Sequence, residues 1–560
     1  MDIIIQNFVP LMFGGLVFFL LTGIPVAFSL AATGLVFGLL GVALDVFPSI
    51  LFHALPLRLF GIMKNDTLLA VPFFTLMGLV LQRSGMAEDL LETIGQVFGR
   101  LRGGLAIAVI VVGALLAATT GVVSAAVISM GLISLPIMLR YGYNRSIATG
   151  VISASGTLAQ IIPPSIVLIV MADQLGQPVG DMYAGALIPG LALVVLYMAF
   201  IAVLAVIKPQ WVPALPDEAL VYKESDGATG HKSLGVLLLI SAAAGYFWAL
   251  SHNTIFSGLQ GSTHNAPTDE LVVSSMTVGA ICALVLAGLN RVGGLGLLSQ
   301  LTERVVFVLI PPLMLVFLVL GTIFLGIATP TEGGAMGAVG ALVMAYLRNR
   351  LNATQFRQAL DQTVQLTCFV MLIVIGATIF SFVFIAVDGS DWVKHLFDKL
   401  PGGALGFLIA VSLLVFVLGM FIDYFEIAFI VIPILTPVAE HMGINLVFFG
   451  VIIAMTLQTS FLTPPFGYAL FYLRSVASKT DYTDKVTRKP IKAITTTQIY
   501  KGSLVFVLLQ VVMVGILLAY PEMVTDRLHS SPVIDMDTLD FQAETGGYGN
   551  EDDDPMRGFD

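Results

Sequence analysis

The chain has 560 residues, of which 57% are hydrophobic and 11% charged, and its mean hydropathy is +0.95. A soluble globular domain carries about 25% charged residues, so this composition excludes that class. Much of the acid behind the net charge of −10 sits in a C-terminal tail containing Glu551-Asp552-Asp553-Asp554, and no nucleic-acid partner is expected.

Apolar runs of roughly 20 residues recur, each long enough to cross a bilayer core of about 30 Å as a helix. The shorter alternating segments of a β-barrel do not occur. The expected class is an all-α polytopic membrane protein embedded in a lipid bilayer. Met1-Asp2-Ile3 lacks the basic stretch of a cleavable signal peptide, so the first apolar run is expected to remain as a membrane helix. Cys282 and Cys368 both lie in apolar runs and are expected to be small buried hydrophobes, with neither a disulfide framework nor a metal cluster.

Phe8 to Leu44 is too long for one untilted span. Gly23-Ile24-Pro25 should kink or break it, because proline removes a backbone donor and clashes with the preceding turn. Phe47 to Asp66 reads as interfacial, and Leu68 to Leu81 as a span. Glu88 to Arg102 places Leu90, Leu91, Ile94, Val97 and Phe98 at helical spacing among charges, which predicts an amphipathic interfacial helix ended by Gly103-Gly104. Leu105 to Leu139 is interrupted at Thr119-Thr120-Gly121. Ile147 to Met171 is interrupted at Gly156-Thr157 and again at Ile162-Pro163-Pro164-Ser165. Met182 to Ile207 is a plain span. Pro209 to Lys232 is a polar loop. Ser233 to Leu250 and Leu271 to Leu289 are an extra helical pair, separated by a polar stretch, Ser251 to Glu270. Arg291 to Arg304 reads as amphipathic. Val305 to Leu347 is interrupted at 328–334. Arg348 to Gln365 is polar or amphipathic, Leu366 to Val387 spans, and Asp391 to Lys399 is amphipathic with Trp392 as an interface anchor. Ala404 to Val438 and Leu446 to Val476 hold the next two breaks, at Asp423 and at Thr463-Pro464-Pro465. Ser478 to Gln498 is basic and polar, which favours a cytoplasmic face. Ser503 to Tyr520 is the last span.

Landmarks recur in the same order about 300 residues apart. Gly23-Ile24-Pro25 matches Ala328-Thr329-Pro330, and Gly78 matches Gly376. Gly103-Gly104 matches Gly402-Gly403, Tyr141-Gly142-Tyr143 matches His441-Met442-Gly443, and Pro163-Pro164 matches Pro464-Pro465. Two structural repeats are expected, roughly Gly15 to Ile207 and Gly321 to Tyr520. Interrupted membrane segments at corresponding places in two halves are the sequence pointer to a secondary transporter's binding site, and such repeats are commonly inverted.

Non-helical backbone at membrane depth must face protein or a watery cavity. Unwound carbonyls and hydroxyls suit a hard cation such as Na⁺, and half-helix N-termini favour an anion. The first half offers Thr119, Thr120 and Ser124 at one break. At the other it offers Ser155, Thr157 and the carbonyls around Ala159 to Pro163. The second half offers Asp423 at one break and Thr459, Ser460 and Thr463 at the other. Each hydroxyl could instead bond its own helix. Asp423 is an ionisable residue in an apolar run, with Glu426 one turn on, and together they attract a cation or share a proton. A loop outside the membrane is the alternative for that pair. Glu332, in Thr329-Pro330-Thr331-Glu332, is either a similar case or a helix cap. No phosphate loop, metal-spaced histidines or nucleophile constellation is present, so an enzyme is not expected.

These residues carry a family resemblance. Gly23-Ile24-Pro25-Val26-Ala27-Phe28, Gly142-Tyr143, Ile162-Pro163-Pro164-Ser165, Thr329-Pro330-Thr331-Glu332 and Leu462-Thr463-Pro464-Pro465-Phe466-Gly467 occur in order. Over nearly its whole length the chain resembles the large membrane subunit of tripartite ATP-independent periplasmic (TRAP) transporters. The resemblance implies an elevator of the ion-transporter superfamily, with re-entrant hairpins and broken helices, in a bacterial inner membrane. It implies sodium-coupled import of an organic acid with no cofactor beyond the coupling ion. It also implies two partners, a small four-helix membrane subunit and a periplasmic solute-binding protein. Carried over, the sodium sites fall on Thr120 and the carbonyls of Ala159, Ile162 and Pro163 in one half. In the other they fall near Asp423 and around Thr459 to Pro464. The family's first hairpin tip is usually rich in Ser and Gly, whereas here it reads Thr119-Thr120-Gly121-Val122-Val123-Ser124. The insertion and acidic tail resemble a longer subgroup, and no fused small subunit is seen.

The expected organisation is a first repeat over 1–207, an inserted loop and helical pair over 208–304, a second repeat over 305–520 and a disordered acidic tail over 521–560. The competing readings are a stand-alone sodium–carboxylate symporter, a membrane-embedded enzyme and a channel.

Overall fold

The structure is a computed structural model. It describes residues 5–222, 230–260, 268–294, 296–324, 326–484, 486–526 and 528. The chain divides into two units, 1–527 and 528–560. Only Leu528 of the second is described, so the expected disorder of the acidic tail lies outside the described residues.

The helices of the first unit follow the breaks in the sequence. Gly23 takes φ +79°, a conformation that favours glycine, and Pro25 begins the next helix, so the first long apolar run becomes α1 (Phe8–Leu21) and α2 (Val26–Ala43). A 3₁₀ turn (Ser49–Ala54) and α3 (Leu55–Met63) lead to α4 (Asp66–Arg83) and the amphipathic α5 (Met86–Phe98), which buries Leu90, Leu91 and Ile94. Then come α6 (Gly104–Thr120), α7 (Val123–Arg140), α8 (Arg145–Thr157), α9 (Ile166–Leu175) and α10 (Val179–Ile207). The inserted pair is α11 (His231–Gln260) and α12 (Thr268–Gly293). After it come α13 (Gln300–Phe324), α14 (Pro330–Leu347), α15 (Ala353–Ala386), α16 (Gly389–Asp398) and α17 (Gly403–Leu418). The series ends with α18 (Tyr424–His441), α19 (Leu446–Phe461), α20 (Tyr468–Val476), α21 (Thr496–Ala519) and α22 (Glu522–Thr525). Among the described residues, 10 helices are long and apolar enough to cross a membrane.

The structure departs from the expectations in several places. Polarity alone does not end a helix; a cap or breaker does. So α11 runs on to Gln260 through residues expected to be a polar link, and α15 starts at the Asn352–Gln355 capping box and absorbs the segment expected to be separate. Arg291 to Arg304 is no single element, because Gly294 and Gly296 turn the chain at φ +59° and +62° between α12 and α13. A short hairpin, β1 (Tyr482–Thr483) against β2 (Pro490–Ile491), qualifies the all-α expectation. Residues 522–525 form α22, with Val524 buried, inside the stretch expected to be disordered. Cys368 is exposed rather than buried.

The succession of helix lengths occurs twice. α2 and α14 have 18 residues each, α6 and α17 have 17 and 16, α7 and α18 have 18 each, and α9 and α20 have 10 and 9. Left-handed Gly103 and Gly402 precede α6 and α17, and cis bonds at Pro163-Pro164 and Pro464-Pro465 lie in the later breaks. Left-handed Gly142 pairs with Gly443, one residue later than the expected register, because the turn needs glycine at that step.

Elements of one half pack on those of the other: α2 on α15 and α4 on α14, α7 on α20 and α18 on α9, α8 on α21 and α19 on α10. Apolar burial drives helix association weakly in lipid, so small residues that admit close backbone approach carry it. A Cβ on Gly150 would lie 2.4 Å from the Gly502 carbonyl oxygen, and one on Gly376 would lie 2.3 Å from that of Ala27.

One end of the bundle is basic. There Gly103 N–H donates to Val212 O (2.8 Å) and Asn144 N–H to Trp211 O (2.9 Å). Arg140 also meets Asp484 at this end, with Nη2 to Oδ1 at 3.0 Å. Burial would raise the Asp484 carboxyl, but the Thr487 backbone N–H and hydroxyl, and then Arg140, hold it down to about 2.

Gly150→Ala is expected to lower thermal stability in detergent by about 1–3 kcal/mol or more through overpacking, read as a drop in unfolding temperature. The depressed Asp484 carboxyl contributes stability that is whole above the unfolded value of 3.8 and is lost as pH falls towards about 2. Asp484→Asn should flatten that acid limb of the unfolding profile.

Candidate functional site

The four breaks form two adjoining pairs. Gly121 ends α6 in the left-handed region (φ +59°), and a Cβ there would lie 3.3 Å from Ile166 N, so the α6–α7 tip rests on the first turn of α9. In the other half a Cβ on Gly419, just after α17, would lie 2.3 Å from Ser460 Oγ, so the α17–α18 break rests on the end of α19.

In the first pair, Thr119 Oγ1 donates to Leu116 O (3.0 Å), Ser155 Oγ to Val151 O (2.6 Å) and Thr157 Oγ1 to Ala154 O (2.9 Å). The Thr120 side chain lies outside the described residues. A 3₁₀ turn, Leu158–Gln160, holds Ala159, and the N–H groups of Ile161 and Ile162 both donate to Leu158 O. The carbonyls of Ile162 and Pro163 accept no turn or loop hydrogen bond among the described residues.

In the second pair, Thr459 Oγ1 donates to Met455 O (2.9 Å), Ser460 Oγ to Leu457 O (2.8 Å) and Thr463 Oγ1 to Thr459 O (2.8 Å). Pro464 follows in the turn before α20. These local bonds use only the hydroxyl protons and leave oxygen lone pairs for a cation.

Asp423 is the N-cap of α18. Its Oδ1 accepts from Tyr424 N (2.8 Å), and Glu426 Oε2 reaches back to Asp423 N (3.1 Å) as a capping box. The helix N-terminus stabilises both carboxylates. Glu426 is buried, and Tyr468 Oη donates to Phe421 O (3.0 Å) across the same break.

Thr329, Thr331 and Glu332 are not brought to either pair. Thr329 and Glu332 make an exposed capping box at the start of α14, and Thr331 Oγ1 donates to Asp66 O.

Ser124 lines a cleft of 530 Å³ between α4, α7 and α15, with Thr75, Gln82, Arg83, Ser129 and Gln362. Gln82 Nε2 donates to Ser129 Oγ (2.5 Å), and Arg83 Nη1 to Gln358 Oε1 (2.5 Å). Sequence reasoning passed over Gln82 and Arg83 because they stand where an apolar run ends. It also passed over Gln160 and Gln458, fully buried amides; neither polar atom of the Gln160 amide has a hydrogen-bond partner among the described residues. A glutamine inside an apolar run was their available signal. Among the described residues no group of three or more His, Cys, Asp or Glu could hold a metal ion.

A bundle with two pairs of interrupted membrane helices is the arrangement of a multi-pass transport protein. A model of the tripartite ATP-independent periplasmic transporter DctM component matches residues 13–523, and the chain belongs to that family. It is accordingly a large permease component of the inner membrane. The chain is 26% identical over 425 residues to the C4-dicarboxylate TRAP transporter large permease protein DctM of Pseudomonas aeruginosa, covering 76% of this chain and 81% of that one. It is 24% identical to the sialic acid TRAP transporter large permease protein SiaM of Vibrio cholerae, covering 82% and 87%. It is 23% identical to the isethionate TRAP transporter permease protein DctMQ of Oleidesulfovibrio alaskensis, covering 84% of this chain and 60% of that one. The solved structure of the YdaH transporter of Alcanivorax borkumensis is 14% identical, with a TM-score of 0.46 over 84% of this chain and 88% of that one, a likeness too low to argue from.

Asparagine caps helices about as well as aspartate, whereas alanine costs about 1 kcal/mol. Asp423→Asn should therefore keep the unfolding temperature near wild type and Asp423→Ala should lower it. Differential scanning fluorimetry of both variants checks this.

Proposed function

We propose that the chain couples an inward sodium gradient to the uptake of an organic acid, together with a small four-helix membrane subunit and a periplasmic solute-binding protein. The observation that carries the reading is the pairing of the breaks. Thr119, Ser155, Thr157 and the Ile162 and Pro163 carbonyls gather oxygens in one half, and Asp423, Glu426, Thr459, Ser460 and Thr463 do so in the other. Oxygen-only, partly anionic surroundings suit Na⁺. Thr120, Ala159 and Pro464 belong to the same proposed sites.

The two series of helices, within 1–207 and 305–520, are proposed as inverted repeats of an elevator. The turn after α7 lies at the basic end, beside Trp211. The turn after α18 belongs to the far end, where Val447 and Val524 both meet Gly185 beyond the end of α21. The Ser124 cleft, with Arg83 at its rim, is proposed as the path of the anion, because a guanidinium matches a carboxylate bidentately. The names of the relatives, spanning C4-dicarboxylate, sialic acid and isethionate, support an organic anion as cargo. The joined name DctMQ supports a second membrane subunit.

The test is uptake into proteoliposomes that hold this chain and its small subunit, with the binding protein outside. Accumulation should require both the binding protein and an inward Na⁺ gradient, and Asp423→Asn, which keeps the cap, should abolish it. Arg83→Gln should cut uptake about ten-fold or more, the size of one lost charge-assisted hydrogen bond. Uptake without the binding protein would establish the stand-alone symporter instead. Uptake that follows a proton gradient and ignores Na⁺ would overturn the assigned ion.

A further inference from the structure

We infer that an anionic phospholipid binds between the inserted pair and the rest of the bundle, with its phosphate in an arginine pocket and an acyl chain in the groove beside it. The pocket has a volume of 590 Å³ and lies at the basic end, where α5, α12, α13 and α14 meet. Arg291, Arg304, Arg348 and Arg350 line it with Asp89 and Glu303, and Glu92 pairs with Arg304 from beside it at 3.5 Å, so four guanidinium groups face three carboxylates. Asp89 is shared by three guanidinium groups, at 3.6 Å from Arg304, 3.5 Å from Arg348 and 3.4 Å from Arg350. Glu303 is engaged by Asn290 Nδ2 at 2.7 Å.

The positive charge is therefore undercompensated. Arg291 makes no ion pair among the described residues and lies 5.3 Å over the Phe307 ring. The buried Nε of Arg304 has no hydrogen-bond partner among the described residues. Planar guanidinium groups with spare donors match a phosphate.

One turn further along α13 the chemistry changes. Val305, Val306, Leu309, Ile310 and Leu313 line an apolar groove of 620 Å³, closed by α11 and α12. Both inserted helices are mostly exposed and apolar, so the groove opens to the acyl region. A free phosphate would satisfy the pocket and leave the groove empty; a neutral lipid would fill the groove and leave the arginines unmatched. Only a molecule with a phosphate head and a hydrocarbon tail meets both. The basic end faces the cytoplasm by the positive-inside tendency, and basic pockets between membrane helices on that side hold anionic head groups. The lipid would tie α11 and α12 to α5 and α14, across a junction where Asp89 and Glu92 otherwise serve three arginines.

The test uses the full chain in detergent, titrated with phosphatidylglycerol, phosphatidylcholine or inorganic phosphate, with retained lipid counted by native mass spectrometry and unfolding temperature read in parallel. Phosphatidylglycerol should be retained and should stabilise. Arg291→Gln breaks no ion pair and should bind it about five-fold more weakly, the share of one arginine near a membrane surface. Ala242→Trp, on the exposed lip of the groove, should weaken retention without touching the arginines. Exposed Arg357→Gln serves as a control that should change nothing. Equal retention of phosphatidylcholine would overturn the proposal, as would wild-type retention in both Arg291→Gln and Ala242→Trp. Stabilisation by inorganic phosphate alone would reduce the pocket to a free-anion site.

Discussion

A backbone N–H or carbonyl left unpaired against hydrocarbon costs several kcal/mol, and the rest of this structure depends on that constraint. Among the described residues, ten long apolar helices satisfy it trivially. The four interruptions do not, and they meet in two pairs that cover one another in part, with Phe421 and Phe466 left exposed. Gly121 lies against Ile166, and Gly419 lies against Ser460. Exposed to lipid, the same turns would unravel. Where the breaks meet, hydroxyl and carbonyl oxygens come together in two regions, the ones proposed above to hold the cation.

The covering is supplied reciprocally by the two halves. α9 packs on α18, and α20 packs on α7. Neither half would bury its own broken helix alone. The close approach of Gly150 and Gly502 repeats this reciprocity at the level of single atoms, because a methyl group at either position would collide with a carbonyl of the other half.

The breaks were legible because their punctuation is local: Gly23-Ile24-Pro25, Gly121, Pro163-Pro164 and Pro464-Pro465 each act on the chain within a turn of themselves. The helix ends that polarity seemed to mark were not legible. Ser251 to Gln260 reads as a polar link and Arg348 to Gln365 as polar or amphipathic by composition, yet α11 runs through the first, and in the second the chain turns only at 348–352 before the Asn352 cap starts α15. The hydroxyls of Thr119, Thr459 and Ser460 could be named from the sequence, but their pairing could not, because it depends on contacts between segments distant along the chain. Gln82, Arg83, Gln160 and Gln458 were missed for a related reason. A polar residue at the end or in the middle of an apolar run gains its meaning only from what faces it.

Asp423 and Thr329 show how the same local motif diverges with context. Each is an N-cap residue followed three positions later by a glutamate that returns to the cap N–H. At Thr329 the box is exposed, water solvates Glu332, and the motif is complete as a helix start. At Asp423 the glutamate is buried and two carboxylates share one break. The helix N-terminus offsets part of their charge, worth up to about 2 kcal/mol in a partly buried setting, and cannot neutralise both. The remaining negative potential, with the Thr459 and Ser460 hydroxyls near the same turn, needs either protons or a cation. Capping accounts for the geometry of Asp423 but not for a second carboxylate in a buried position, and that surplus charge sets this break apart from the exposed one.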